Sequence, residues 1–391
     1  MIQMEVSIID TILKDLPTIA TQSYFNTGGA SPIPVCVRDA IVKELQYEVE
    51  TGRVNQGQRK RFQLYLNMLR NRLSSIIHAK PSELAITNNT TDGINIILWG
   101  LHLNPGDEIL TTTSEHLGSL AGLSTLSRQK GVSVRFYKMK NYVFDIDAFF
   151  SLVAHRTRVI VISHVFWATG NIIPIEIICK RAHEQGIFVL VDGAQAVGSI
   201  PVNIKDLDVD FYSFPAHKWL YGPEGIGVLY IKESLLDIVN QTFAGNASFN
   251  KHDGTIYYFP SEGSKRFEIG TRFRPSIHGF IAGLTWICEE IGLDNIFLMI
   301  QENTRILRDR IIKETAFQPV VMDNSSIITI LLPESINCKN LTKDLEVHNI
   351  FVREIKELNA IRISVSFFHT TDHIEALLHQ LKQLNLKERV Q

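Results

Sequence analysis

The sequence predicts an α/β protein: a mainly parallel sheet covered by helices on both faces, followed by a smaller C-terminal α+β unit. Two observations carry this. The middle of the chain repeats short, continuously apolar runs, such as Phe188-Val189-Leu190-Val191, separated by helix-like segments. Strands buried on both faces read this way, whereas half-exposed strands alternate. From about Gly279 the texture changes to a long helical pattern followed by two strand-like runs that alternate with helices.

The elements follow in order. Leu84-Ala85-Ile86-Thr87 reads as a strand, Asn88-Asn89-Thr90 as a turn, and the apolar-periodic run from Thr91 to Leu101 as a helix. After the turn Asn104-Pro105-Gly106-Asp107, strands are expected over 108–112, 132–137, 159–163, 188–191 and 227–231. A helix between the strands at 159 and 188 is punctuated by Pro174 near its start and Gly186 just past its end. One long helix is expected from Ile281 to Thr315. Then come a strand over 326–331, a helix near Leu341 to His348, a strand over 360–365 and a final helix from about Thr371. The division expected is a large unit over 15–275, with 1–14 and 276–391 forming the small one.

The chain has 391 residues, 45% hydrophobic and 20% charged, with net charge −2. That is an ordinary globular balance with ample core. It contains no long basic run, which speaks against nucleic acid as a partner. Cys36, Cys179, Cys288 and Cys338 are widely separated and lack a CxxC pair, as expected of reduced thiols in a cytoplasmic protein. Glu5, Asp10 and Lys14 interrupt the N-terminus, so no signal-peptide core is expected there, and no apolar stretch is long enough for a membrane helix.

The chemistry gathers around two segments. Leu190-Val191-Asp192-Gly193-Ala194-Gln195 ends an apolar strand in a carboxylate, and Phe214-Pro215-Ala216-His217-Lys218-Trp219 delivers a lysine among aromatic residues. A desolvated lysine amine can form a Schiff base with an aldehyde, and a buried aspartate can keep a pyridinium nitrogen protonated. Pyridoxal 5′-phosphate (PLP) needs both groups. Open α/β sheets bind ligands beyond the carboxyl ends of their strands. Thr90, His116 and His164 lie at such ends beside Asp192, although each alone is as readily a turn or cap residue. Asn88-Asn89-Thr90-Thr91 precedes a helix whose first turn suits a phosphate, or is a plain N-cap. His217 reads equally as a phosphate ligand or a packed core histidine. The cationic stretch around Thr271 reads as an anion site at a seam or as a solvated loop. Arg362, within Ile361-Arg362-Ile363-Ser364, suits a substrate carboxylate or a structural ion pair.

Taken together, these segments resemble the class V, cysteine desulfurase-like branch of fold-type I PLP enzymes, over nearly the whole chain from Tyr24-Phe25-Asn26-Thr27-Gly28-Gly29 onward. Within it the chain looks most like the cystine/cysteine C–S lyases, through Ile97-Leu98-Trp99-Gly100-Leu101, Ser163-His164-Val165-Phe166-Trp167 and the two arginines Arg353 and Arg362. The resemblance implies a seven-stranded sheet and a homodimer with its active site at the subunit interface. It implies that Lys218 carries the cofactor and moves protons, Asp192 pairs with the ring nitrogen, Gln195 meets the phenolic oxygen, His116 stacks on the ring and His164 also binds the cofactor. Thr90, Thr91 and His217 would hold the phosphate, joined by Thr271 from a second copy. Arg362 would bind the α-carboxylate, Arg353 a second carboxylate or the far end of a larger substrate, and Asn26, Gly28 and Gly29 would line the substrate side.

Two departures stand out. Pro215 occupies the position where the family usually has a phosphate-binding hydroxyl, leaving Ser213 as a substitute. The loop over 353–360 contains no cysteine to accept persulfide sulfur. The activity implied is therefore β-elimination of sulfur from an L-cysteine or cystine-type substrate. The alternatives are epimerisation, transamination, a desulfurase without the loop cysteine, and a non-catalytic protein of the same fold.

Overall fold

The computed structural model describes residues 6–252, 254–255 and 258–388; Glu5 lies outside the described residues. Seven strands form the central sheet: β1 (Leu84–Thr87), β2 (Glu108–Thr112), β3 (Ser133–Tyr137), β4 (Thr157–Ser163), β5 (Phe188–Asp192), β6 (Phe211–Pro215) and β7 (Gly227–Ile231). Their order is β1-β7-β6-β5-β4-β2-β3. Neighbours from β6 to β3 are parallel, and β7 runs antiparallel to both β1 and β6.

Five of the strands, β1, β2, β5, β6 and β7, are buried almost throughout, which is why most of their residues are apolar without alternation. Burying each Ile or Val contributes about 1.5–3 kcal/mol. The edge strand β3 departs from this, with mostly exposed residues. The antiparallel step matters for function. Parallel neighbours need a crossover, whereas β6 and β7 are joined directly through residues 216–226. That connection stays at the edge of the sheet where β5 ends in Asp192, and it carries Lys218 there.

Helices α1 (Val35–Thr51) and α2 (Gln56–Ile77) precede the sheet, and α3 (Thr90–Gly100), α4 (Leu117–Lys130) and α5 (Ile175–His183) cover it. The single long helix expected from Ile281 is instead three pieces: α6 (Arg274–Thr285), a π-helical turn over Trp286–Ile291, and α7 (Leu293–Glu314). Gly292, at φ +90°, breaks the path; apolar periodicity continues on both sides and hides the break. The small sheet, β8 (Ile327–Leu331), β9 (Arg353–Ile355) and β10 (Ala360–Ser364), is antiparallel in the order β8-β10-β9. Helices α8 (Cys338–Val347) and α9 (Thr371–Glu388) pack with it.

The N-terminal segment crosses to this unit. Ser23 and Tyr24 pair with Ile350 and Phe351, and Asn26 bridges to Ser364. Phe280, Met299 and Ile300 belong to the core under the large sheet, and Leu307 and Ile311 to the core of the small one.

Candidate functional site

A cavity of about 470 Å³ opens where the strand ends of the large sheet face the small unit. Asp192 terminates β5, and its Oδ1 accepts from the Ala194 N–H at 2.9 Å while Oδ2 accepts from the Ser119 hydroxyl at 3.4 Å. Lys218 lines the same cavity. Burial lowers its pKa to about 8, a shift resisted by Asp192 and aided by Arg362. A neutral, nucleophilic amine is thus accessible near physiological pH.

The phosphate-side residues meet at the start of α3. Asn89 caps this helix by accepting from the Asp92 N–H at 2.9 Å. Thr90 and Thr91 form its first turn, where N–H groups lack intrahelical acceptors. The helix start lies directly on the sheet because Gly227 and Gly93 permit it: a Cβ at Gly227 would fall 2.5 Å from the Asn89 carbonyl carbon, and one at Gly93 would fall 2.3 Å from Ser213 Oγ. Ser213 therefore does not replace the hydroxyl missing at Pro215. Its Oγ lies inside the fold, within hydrogen-bond distance of the Thr90 (3.0 Å) and Val228 (3.3 Å) carbonyls that share its one proton. His217 lines the cavity with its Nδ1 buried and unpartnered, and burial, followed by Lys218, lowers its pKa.

His116 caps α4, its Nδ1 accepting from the Gly118 N–H at 3.1 Å. That bond leaves the proton of the neutral ring on Nε2. Burial and Lys218 lower its pKa, and its ring meets Trp167 edge-on at 5.7 Å. Gln195 is fixed at both ends of its amide, donating to the Gly28 carbonyl (2.8 Å) and accepting from the Trp219 indole N–H (2.9 Å).

Opposite these groups stands a cationic wall. Arg362 donates to the Trp167 carbonyl at 3.1 Å and to Asn26 Oδ1 at 3.2 Å, while its buried Nε has no partner. Burial, reinforced by Arg353, lowers its pKa to about 9. Arg353 also lines the cavity, and among the described residues no carboxylate pairs with either arginine. Gly28 and Gly29 form the near wall; a Cβ at Gly28 would press on Ser364 Oγ and Gln195 Oε1 at 2.8 and 2.9 Å.

One expected residue turns away from the cavity, and Thr271, expected from a second copy, lies outside it. His164 follows Ser163 at the end of β4, and adjacent strand residues point to opposite faces. Ser163 faces the cavity; His164 turns beneath the sheet, where its Nδ1 meets the Tyr212 hydroxyl at 2.8 Å and burial holds its pKa near 4. Thr271 lines a separate groove with Arg272 and Phe267. Two residues are added: Ser163 and, behind it, the buried Glu115. Trp167, quoted only as part of a motif, supplies both an edge contact and a carbonyl.

None of the four cysteines lines the cavity, and all four are free. The donor set fits PLP: an amine of lowered pKa, a carboxylate at a strand end, a helix start with two hydroxyls, and the unpartnered His217 Nδ1.

Comparison with known proteins agrees with this arrangement. The class-V aminotransferase family model matches residues 23–377. A probable cysteine desulfurase of Pyrococcus abyssi is 27% identical over 96% of this chain and 97% of its own length. A cysteine desulfurase of Cronobacter sakazakii is 35% identical over 59% of this chain and 58% of its own. Among solved structures, the cystine C–S lyase C-DES in complex with its reaction product cysteine persulfide superposes with a TM-score of 0.90 at 28% identity, covering 94% of this chain and 99% of that one. A C-DES variant with glycine covalently linked to the PLP cofactor gives 0.91 at 27% identity, covering 95% and 98%.

Proposed function

The chain belongs to the class-V aminotransferase family, and from that premise we propose that it is a PLP-dependent lyase releasing sulfur from L-cysteine or cystine-type substrates by β-elimination. The observation that carries this reading is a cavity that joins Lys218 and Asp192 to two arginines without carboxylate partners among the described residues, with no cysteine on its walls.

When bound, the cofactor supplies an electron sink for negative charge at the substrate Cα. Lys218 would hold the cofactor, and its free amine would take the Cα proton. Asp192 would keep the ring nitrogen protonated, Gln195 would meet the phenolic oxygen, and His116 would lie against the ring. Thr90, Thr91 and His217 would hold the phosphate. Arg362 takes the α-carboxylate while Asn26, Gly28 and Gly29 bound the substrate. Arg353 takes the distal carboxylate of a substrate such as cystine. Sulfur leaves as thiolate or persulfide, and the released enamine hydrolyses to pyruvate and ammonia.

A desulfurase reading is favoured by the names of the curated relatives, but transfer to an enzyme thiol needs a cysteine at the site. Product analysis separates the outcomes. Stoichiometric pyruvate with sulfide or persulfide supports elimination; alanine with persulfide on the protein supports desulfuration; a keto acid or inverted amino acid without sulfur release supports transamination or epimerisation.

A homodimer accompanies this reading. Thr271 lies away from its own cavity, near Ile269 and Phe273, 46% and 59% exposed, which supports a seam there with a second copy whose phosphate it would reach. A cytoplasmic setting suits the four free thiols. Among the described residues no helix is long and apolar enough to cross a membrane.

A further inference from the structure

Glu115 is 3% exposed and has no cationic partner among the described residues. Its carboxyl is held by two hydroxyls from different strands, Thr112 Oγ1 at 2.8 Å and Ser163 Oγ at 2.5 Å. Its backbone carbonyl accepts from the Trp167 indole at 3.3 Å. Ser163 is also 3% exposed, lines the cavity, and sits in register beside Asp192. A buried carboxyl therefore stands directly behind a hydroxyl that faces the ligand space.

We propose that Ser163 is a ligand-binding hydroxyl that donates to an anionic oxygen of the bound ligand, and that Glu115 is the positioning residue that sets the direction of its proton. A hydroxyl carries one proton. When Glu115 is neutral it donates to Ser163 Oγ, and the Ser163 proton is free to point into the cavity. When Glu115 is ionised it claims the Ser163 proton, and Ser163 then offers a lone pair to the ligand and repels an oxyanion.

The charge surroundings agree. Burial raises the pKa of Glu115 to about 8, with its two hydroxyl partners opposing and Asp192 reinforcing. Glu115 is thus the neutral acid below that pH and ionises above it, the donor form of Ser163 being lost as pH rises. The charged groups around the pair are Asp192 beside Ser163, His116 next in sequence to Glu115, and Lys218, Arg353 and Arg362 across the cavity. Lys218 titrates in the same range, so the test compares variants rather than pH alone.

The inference rests on the PLP reading of the site. The anionic oxygen belongs either to the cofactor, as a phenolate, or to the amino acid, as a carboxylate. The experiment measures, by visible absorbance, the dissociation constant of PLP from the protein and of glycine from the PLP-loaded protein, between about pH 6.5 and about pH 9.5, across the titration range of the buried acid. Ser163→Ala weakens one of these constants about five- to tenfold at about pH 7, the loss of one hydrogen bond: glycine if the target is the carboxylate, PLP if it is the phenolate. Wild type weakens similarly as pH rises past 8, beyond what Ser163→Ala shows. Glu115→Gln, whose amide N–H donates to Ser163 as the neutral acid does, loses this alkaline weakening. Unchanged constants in Ser163→Ala, or an alkaline weakening retained in Glu115→Gln, would overturn the proposal. If Glu115→Gln fails to fold, Ser163→Ala alone decides through its affinity at neutral pH and its flatter profile. Absence of any visible band with PLP would instead defeat the reading on which the inference rests.

Discussion

Arg353 sits directly opposite Arg362 on the antiparallel pair β9–β10, a cross-strand placement of two cations that no carboxylate among the described residues pairs with. Like charges facing each other across a sheet are destabilising, and the anionic substrate proposed above would offset this. Arg362 is the buried member, tied to the Trp167 carbonyl and to Asn26.

Arg362→Ala is expected to raise the Michaelis constant for a cysteine-type substrate about 10- to 100-fold, the loss of a charge-assisted contact, while PLP affinity changes little. Steady-state kinetics beside a PLP titration checks this. Equal losses in both would remove the carboxylate role.

The lowered pKa of Lys218 gives a pH signature. The neutral amine reacts with aldehydes, and its fraction rises with pH through about 8. Stopped-flow capture of PLP by apoprotein is expected to accelerate from neutral pH and level off above 8. A rise that continues to the range of an ordinary lysine would place the reacting amine in water.

Ser213→Ala tests the phosphate side. Its hydroxyl serves the carbonyls of Thr90 and Val228 inside the fold. The substitution is expected to cost about 1 kcal/mol in urea unfolding and to leave PLP affinity within about twofold. A large loss of affinity with unchanged stability would return Ser213 to the phosphate.

Replacing Cys36, Cys179, Cys288 and Cys338, singly or together, is expected to preserve sulfur release, with any loss tracking stability through the buried Cys179 and Cys338. A steep fall in turnover of a stably folded single variant would revive transfer to an enzyme thiol.

Much of the site was legible because its residues close unbroken apolar runs. Asp192 after Leu190 and Val191, and Lys218 after Phe211 to Phe214, announce strand ends with chemistry on them. What the sequence concealed depends on partners far along the chain. Glu115 looks like a surface acid until Thr112 and Ser163 close over it from two strands. His164 reads as a strand-end ligand until the one-residue alternation with Ser163 turns it toward Tyr212. Ser213 seems free until Gly93 brings α3 onto it. The break at Gly292 is invisible to periodicity because apolar residues continue on both sides. Helices α1 and α2 were missed for a related reason: their polar composition gives a weak apolar stripe.

The central claim is that Lys218 is the residue that holds the cofactor. Borohydride reduction of the PLP-loaded protein, followed by peptide mapping, measures this directly. The account predicts a single pyridoxyl adduct, on Lys218, absent from the Lys218→Ala variant; an adduct on any other lysine would contradict it.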